Sequence, residues 1–179
     1  MAVRRCMSIS CATSLPIYIL GYGVFLVSFV CANWVQCDLD ESRYAYGLWW
    51  NCTTIADEHV CRFYEIDALE DSWLTAQAFY LIALVLCFLA GTMYPIVPVN
   101  ALFQSISGAS ALISSTVFAT AVALQDDEKY DYAFYLGFLS GIILLVNGLM
   151  LLVCVRKDHC TLEDIPLPSK SEAKGSFDP

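Results

Sequence analysis

The chain has 179 residues, 58% of them apolar and 15% charged, with a net charge of −9 and a mean hydropathy of +0.60. A soluble domain of this size cannot bury that much apolar surface, so an ordinary water-soluble globule is excluded and a membrane protein is expected.

In chain order, residues 1–14 form a short lead carrying Arg4, Arg5, Cys6 and Cys11. Four apolar runs follow, at 15–35, 74–94, 99–124 and 132–155, each about 21 to 26 residues long. That length crosses a hydrocarbon core of roughly 30 Å as helix. The first run is read as an uncleaved helix; a signal peptide with its cleavage region at Ser28–Ala32 is the alternative. All 27 Asp, Glu, Lys and Arg residues and both histidines lie outside the four runs. A charge at mid-membrane costs several kcal/mol, and ion-coupled transporters keep one there. Transport and intramembrane catalysis are therefore disfavoured.

Arg4 and Arg5 before the first run, and Arg156 and Lys157 after the fourth, place both termini in the cytoplasm. The first outer loop, 36–73, then carries nine acids against two arginines, a net of −7. The second, 125–131, carries four acids against one lysine, a net of −3. Such surface is read first as solvated ectodomain, and second as a surface attracting cations or a basic partner. Pro95-Ile96-Val97-Pro98 is an uncharged cytoplasmic turn, and the polar tail 156–179 is expected to be disordered.

The only sizeable piece outside the bilayer is 36–73. Tyr44–Thr54 and His59–Ile66 are aromatic, β-prone runs separated by Ala56-Asp57-Glu58, which reads as a turn. A hairpin on that turn brings Cys52 opposite Cys61, and in an oxidising compartment the pair should close. Cys37 is left over, as a thiol or an intermolecular link. Zinc is the competing reading beside His59, but no paired CxxC or HxxxH is present, so no metal site is expected. Asn51-Cys52-Thr53 makes Asn51 a glycosylation candidate. Asp57 and Glu58, near the hairpin tip, are candidate cation-attracting groups. Asp67 and Glu70 have the spacing of a helix cap before Leu74, and Trp34 and Trp73 are expected at the outer membrane interface.

Within the runs, Cys31 and Cys87 read as packing residues. Cys6, Cys11, Cys154 and Cys160 lie near the cytoplasmic membrane surface and are palmitoylation candidates. Ser107, Ala111 and Ser115 line one helix face, and Gly137 and Gly141 form a GxxxG; both allow close helix approach. Gln104 and Asn147 are expected to hydrogen-bond across helices. No catalytic residues and no cofactor are expected, since no nucleophile, metal cluster or phosphate loop appears.

Trp34, then Gly47-Leu48-Trp49, then Cys52 and Cys61, resembles the W…GLW…C…C signature of the claudin and peripheral myelin protein superfamily. The resemblance covers the chain apart from its tail. It implies a membrane all-α, left-handed four-helix bundle, claudin-like, bearing a small extracellular antiparallel β-sheet whose cysteines join neighbouring strands. Leu48-Trp49-Trp50-Asn51-Cys52-Thr53 is similar to the LWxNC[ST] of the epithelial membrane protein and peripheral myelin protein branch. Ala76-Gln77-Ala78-Phe79 is similar to its QAF, and Tyr130-Asp131-Tyr132-Ala133-Phe134 to its YxYxF. The sequence departs from true claudins at Ala76-Gln77, where they carry an arginine, and in its short second loop. It also ends Ser176-Phe177-Asp178-Pro179 instead of in a tyrosine–valine PDZ ligand.

The resemblance implies a non-enzymatic tetraspan protein of the plasma membrane and cell junctions, adhesive through its first outer loop. Its partners would be the lipid bilayer, other membrane proteins in cis and on neighbouring cells, and further copies of itself, with no nucleic acid. A claudin-type paracellular cation channel or barrier component, and an auxiliary gamma-like channel subunit, are the alternatives.

Overall fold

The computed structural model describes the backbone of residues 2–39, 42–55, 58–65, 70–122 and 128–163, with side chains at 13–37, 43–55, 58–65, 70–122 and 128–156. Four helices are long and apolar enough to cross a membrane. They are α1 (Ala2–Val30), α2 (Asp71–Thr92), α3 (Val97–Ala121) and α4 (Tyr132–Glu163). The strands are β1 (Val35–Leu39), β2 (Ser42–Tyr46), β3 (Trp50–Ile55), β4 (Glu58–Phe63) and β5 (Glu128–Tyr130). They form one antiparallel sheet in the order β4-β3-β2-β1-β5, standing on one end of the bundle. Four apolar helices with every backbone group bonded internally are what a multi-pass membrane protein requires.

The helix limits differ from the apolar runs, for local reasons. The first run was expected to reach residue 35, but α1 stops at Val30 and Val35 already opens β1. The backbone N–H of Trp34 is held by the Tyr46 carbonyl at 3.0 Å, which draws the chain out of helix and into the sheet. The lead expected over 1–14 is helical from Ala2, so Cys6 and Cys11 lie on α1, their side chains outside the described residues. At the other end α4 runs past residue 155 to Glu163, across the first eight residues of the expected tail. No glycine or proline interrupts that stretch before Pro166. Residues 164–179, and the side chain of Cys160, lie outside the described residues.

The expected turn 95–98 is shorter than read, because Val97 and Pro98 belong to the first turn of α3. Proline is favoured there, since that N–H has no helical acceptor anyway. Asp71 opens α2, three residues before Leu74, and Glu70 sits at its N-cap with extended backbone. The Glu70 side chain makes no capping bond, so the expected Asp67/Glu70 cap is not formed by Glu70; Asp67 lies outside the described residues.

The interior has two apolar centres. Nearer the sheet, Phe25, Trp34, Leu48, Tyr80 and Phe118 are fully buried together; towards the opposite end, Tyr18, Cys87, Ala90 and Leu144 form a second cluster. Hydrogen bonds join the helices between them. Ser107 Oγ donates to Ala83 O at 2.8 Å, and Ser114 Oγ to Ala76 O at 2.6 Å, tying α3 to α2. Asn147 Nδ2 donates to Gln104 Oε1 at 2.7 Å, and Gln104 Nε2 to Asn100 Oδ1 at 2.7 Å. Ser14 accepts from the same Asn147 amide at 3.1 Å, so α1, α3 and α4 share one polar layer. Apolar surface gains nothing by leaving lipid, so such bonds and close packing hold the helices together.

Gly137 and Gly141 serve that packing from the inner face of α4. A Cβ on Gly137 would lie 2.6 Å from Ser28 Oγ, and one on Gly141 would lie 2.9 Å from the Leu112 side chain. The GxxxG therefore brings α4 against α1 and α3 of its own bundle.

Candidate functional site

The surface that the fold builds most deliberately is the sheet. It is fixed to the bundle by three of the residues singled out in the sequence. Gly47-Leu48-Trp49 is not strand interior, as the single run Tyr44–Thr54 implied. It is the bend that joins β2 to β3, with Gly47 N–H bonded to Trp50 O at 2.8 Å. Gly47 is buried there, and a Cβ would stand 2.6 Å from Ala32 Cα and 2.7 Å from the Cys31 carbonyl oxygen. Only glycine fits so close to another backbone. Leu48 is fully buried, and its carbonyl accepts from Gln77 Nε2 at 2.8 Å and Trp73 Nε1 at 3.2 Å. Trp49 packs on Phe29, with ring centroids 5.2 Å apart.

Trp34 corrects an expectation. It was placed as an anchor at the membrane interface, but it is fully buried, packed edge-on against Tyr80, Phe118 and Phe134. Its Nε1–H donates to Ser28 O at 2.9 Å. Tyr80 OH donates to Ser28 Oγ at 2.9 Å, which donates to Ala133 O at 2.7 Å, so all four helices meet around this ring. Trp73 is likewise turned inward, onto Tyr64 and Phe118.

The Cys52–Cys61 disulfide is present and joins directly opposed residues of β3 and β4, with Cα atoms 4.0 Å apart. His59 sits beside it, Nε2 3.4 Å from Cys61 Sγ and Nδ1 2.7 Å from Thr54 Oγ1. Cys52, His59 and Cys61 are close enough to suggest a metal cluster. Sulfurs joined to each other carry no thiolate, however, so they are not metal ligands. Cys37 is buried on β1, opposite Tyr44 and Glu128.

Beyond the disulfide, the hairpin shows two faces. On one, Trp50 packs on Phe63 with centroids 4.0 Å apart. On the other, Asn51, Thr53 and Ile55 face Arg62, Val60 and Glu58 across a recess of about 380 Å³. Asn51 and Thr53 of the glycosylation sequon thus share one face while Cys52 points to the other. Asn51 lies in the sheet between Tyr46 and Arg62. Glu58 opens β4 and is exposed, whereas the turn it was assigned to begins at residue 56; Asp57 lies outside the described residues.

Among the described residues, three buried polar atoms near this junction have no partner: Trp49 Nε1, Asn51 Oδ1 and the Tyr64 hydroxyl. Burial pushes the Tyr64 phenol well above its ordinary value, with Tyr46 adding to the effect. Tyr46 is raised too, chiefly by burial and then by Glu128, Cys37 and Tyr44.

One element was missed in the sequence. The second outer loop was read as a plain connection, but Glu128–Tyr130 pairs with Val35–Cys37 as β5. Asp131 N–H then bonds Trp34 O at 2.9 Å. The alternation of Glu128, Lys129 and Tyr130 is too short to read as a strand alone. Among the palmitoylation candidates, Cys154 is half-buried on α4 at a crevice beside α1, lined also by Ser14, Ile17 and Met150.

The sequence matches no protein-family model and no curated protein.

Proposed function

We propose that this protein is a non-enzymatic tetraspan protein of cell–cell contacts in the plasma membrane, of the claudin, epithelial membrane protein and peripheral myelin protein kind. Both termini are cytoplasmic in this reading, so the sheet lies outside the cell. The observation that carries it is the construction of the sheet: five strands from two separate loops, fixed to four apolar helices by Gly47, Leu48 and Trp34. Buried groups are concentrated where the sheet meets the bundle, while β4 and the hairpin recess are left exposed. A rigid, covalently closed surface held off the bilayer suits recognition of another membrane protein better than turnover of a substrate. The reading also rests on the W…GLW…C…C resemblance.

The test is expression in an epithelial monolayer lacking its own claudins. An adhesive organiser concentrates at contacts between expressing cells and leaves ion selectivity unchanged. A rise in sodium over chloride conductance, abolished by Asp57→Asn with Glu58→Gln, would instead establish the cation-channel reading. A channel that co-purifies and whose currents shift on co-expression would establish the auxiliary-subunit reading. Uniform distribution with no enrichment at contacts overturns the junctional role.

A further inference from the structure

The disulfide does not exhaust the chemistry of the hairpin around it. His59 and Cys61 are two residues apart on β4, so both side chains stand on one face of the sheet. Cys52 stands on that face too, directly opposite Cys61, and Thr54 is opposite His59. The ligand atoms of Cys52, His59 and Cys61 lie within 4.8 Å of one another. Joined, the two sulfurs hold no ion. Parted, they are two soft anionic ligands beside an imidazole nitrogen, a set that suits zinc.

The distances fit that ion. Around tetrahedral zinc, with Zn–S about 2.3 Å and Zn–N about 2.0–2.1 Å, a thiolate and an imidazole nitrogen lie about 3.5 Å apart. His59 Nε2 is already 3.4 Å from Cys61 Sγ. The other ring nitrogen is held as well. With Nδ1–H donating to Thr54 Oγ1 at 2.7 Å, Nε2 keeps the lone pair that a metal needs. Such an outer hydrogen bond sets tautomer and ring orientation in metal-binding histidines. Two thiolates on one zinc stand about 3.8 Å apart, a separation that rotation about the Cα–Cβ bonds reaches once the bridge is cut. Cys52 is buried while His59 and Cys61 are exposed, so the ion enters from solvent and keeps a water as its fourth ligand.

We propose that Cys52, His59 and Cys61 form a zinc site in the reduced chain, with Thr54 positioning the imidazole. The β3–β4 hairpin is then closed either by its disulfide or by Zn²⁺. In the newly made chain the site exists before the bridge is oxidised. In the bridged chain, small external thiols open it in two balanced steps. One thiol RSH, as its thiolate, attacks the exposed Cys61 Sγ, forming RS–S–Cys61 and releasing the Cys52 thiolate. A second thiolate attacks the R sulfur, forming RS–SR and releasing the Cys61 thiolate. The thiols supply both electrons, and Zn²⁺ takes the place of the two protons the cysteines would otherwise bind. None of this rests on what the sheet recognises.

The experiment uses the full chain in detergent, reduced with a phosphine, freed of reductant and metal under argon, and titrated with Co²⁺ as a coloured probe for zinc. One equivalent should give the thiolate-to-cobalt absorption of a tetrahedral site, and Zn²⁺ should bleach it. The bridged protein, which keeps all its remaining cysteines, should give none. His59→Gln should weaken binding by at least about tenfold, and Thr54→Val by about tenfold. Peptide mapping of Cys52–Cys61 before reduction confirms that both variants form the hairpin. Zn²⁺ should also slow maleimide labelling of Cys61, and His59→Gln should remove that protection. Cys154→Ser should bind as the parent does. A reduced parent without the cobalt band overturns the proposal. So does a band equally strong in the bridged protein, unchanged by His59→Gln, or lost in Cys154→Ser. Thr54→Val binding as tightly as the parent overturns the positioning role.

Discussion

The Trp34 indole donates to the carbonyl of Ser28 at 2.9 Å, six residues back in the last turn of α1. That bond folds the start of the sheet onto the top of its own helix. The ring then fills the space between Tyr80, Phe118 and Phe134, on the other three helices.

Trp34→Ala should therefore destabilise the protein by about 3–5 kcal/mol, the range for emptying a large aromatic site. Trp34→Phe keeps part of the ring contact and loses the indole donor, and should cost about 1–3 kcal/mol. Thermal unfolding in detergent and the fraction delivered to the cell surface both report it. Equal melting temperatures for Trp34→Phe and the parent would mean that the Ser28 bond contributes nothing.

Gly47 and Gly23 make a matched comparison. A Cβ on Gly47 would stand 2.6 Å from Ala32 Cα and 2.7 Å from the Cys31 carbonyl oxygen, while one on Gly23 meets nothing within 4 Å. Gly47→Ala should cost about 3 kcal/mol, since backbone cannot step aside as a side chain can. Gly23→Ala should be neutral or stabilising by about 0.5–1 kcal/mol, from helix propensity and a less flexible unfolded chain. A melting series including both variants decides it. Comparable losses at both sites would remove the steric account of the GLW bend.

The third prediction concerns Tyr64, whose hydroxyl is buried without a partner among the described residues. Removing an unsatisfied buried group is close to neutral or favourable, so Tyr64→Phe should change stability by no more than about 1 kcal/mol in the destabilising direction. The same burial raises the Tyr64 phenol above the ordinary 10.0. An unfolded chain would then lose that proton first, so stability is full below about pH 10 and falls as pH rises through the folded value. Tyr46 and Tyr130, also raised chiefly by burial, act in the same direction. Melting temperature against pH, with tyrosinate absorbance alongside, should show this alkaline fall, shallower in Tyr64→Phe. An unchanged slope in that variant would show that Tyr64 carries none of it.

The four spans were legible because apolar length is a one-dimensional property, and lipid tolerates no charge along it. The Cys52–Cys61 pairing was legible too, since a turn read at 56–58 brings the two within one position of each other, and the register that pairs Ile55 with Glu58 sets them directly opposite. Where the chain bends was harder to see. Leu48 and Trp49 look like strand residues by type, and only their burial against α1 and α2 turns them into a corner. Trp34 looked interfacial because amphipathic rings often are; its burial depends on Tyr80 and Phe118, far away in sequence. β5 had the weakest signal of all, three residues whose partner β1 lies about 90 positions earlier.

The attachment of β5 has a mechanical consequence. β1 is held by β2 on one side and by β5 on the other, and β5 runs directly into α4. Tension applied at the hairpin tip cannot simply stretch a slack tether. It spreads across the strands and enters the bilayer through α1, α2 and α4 at once, so the head and its stem tilt as a single lever.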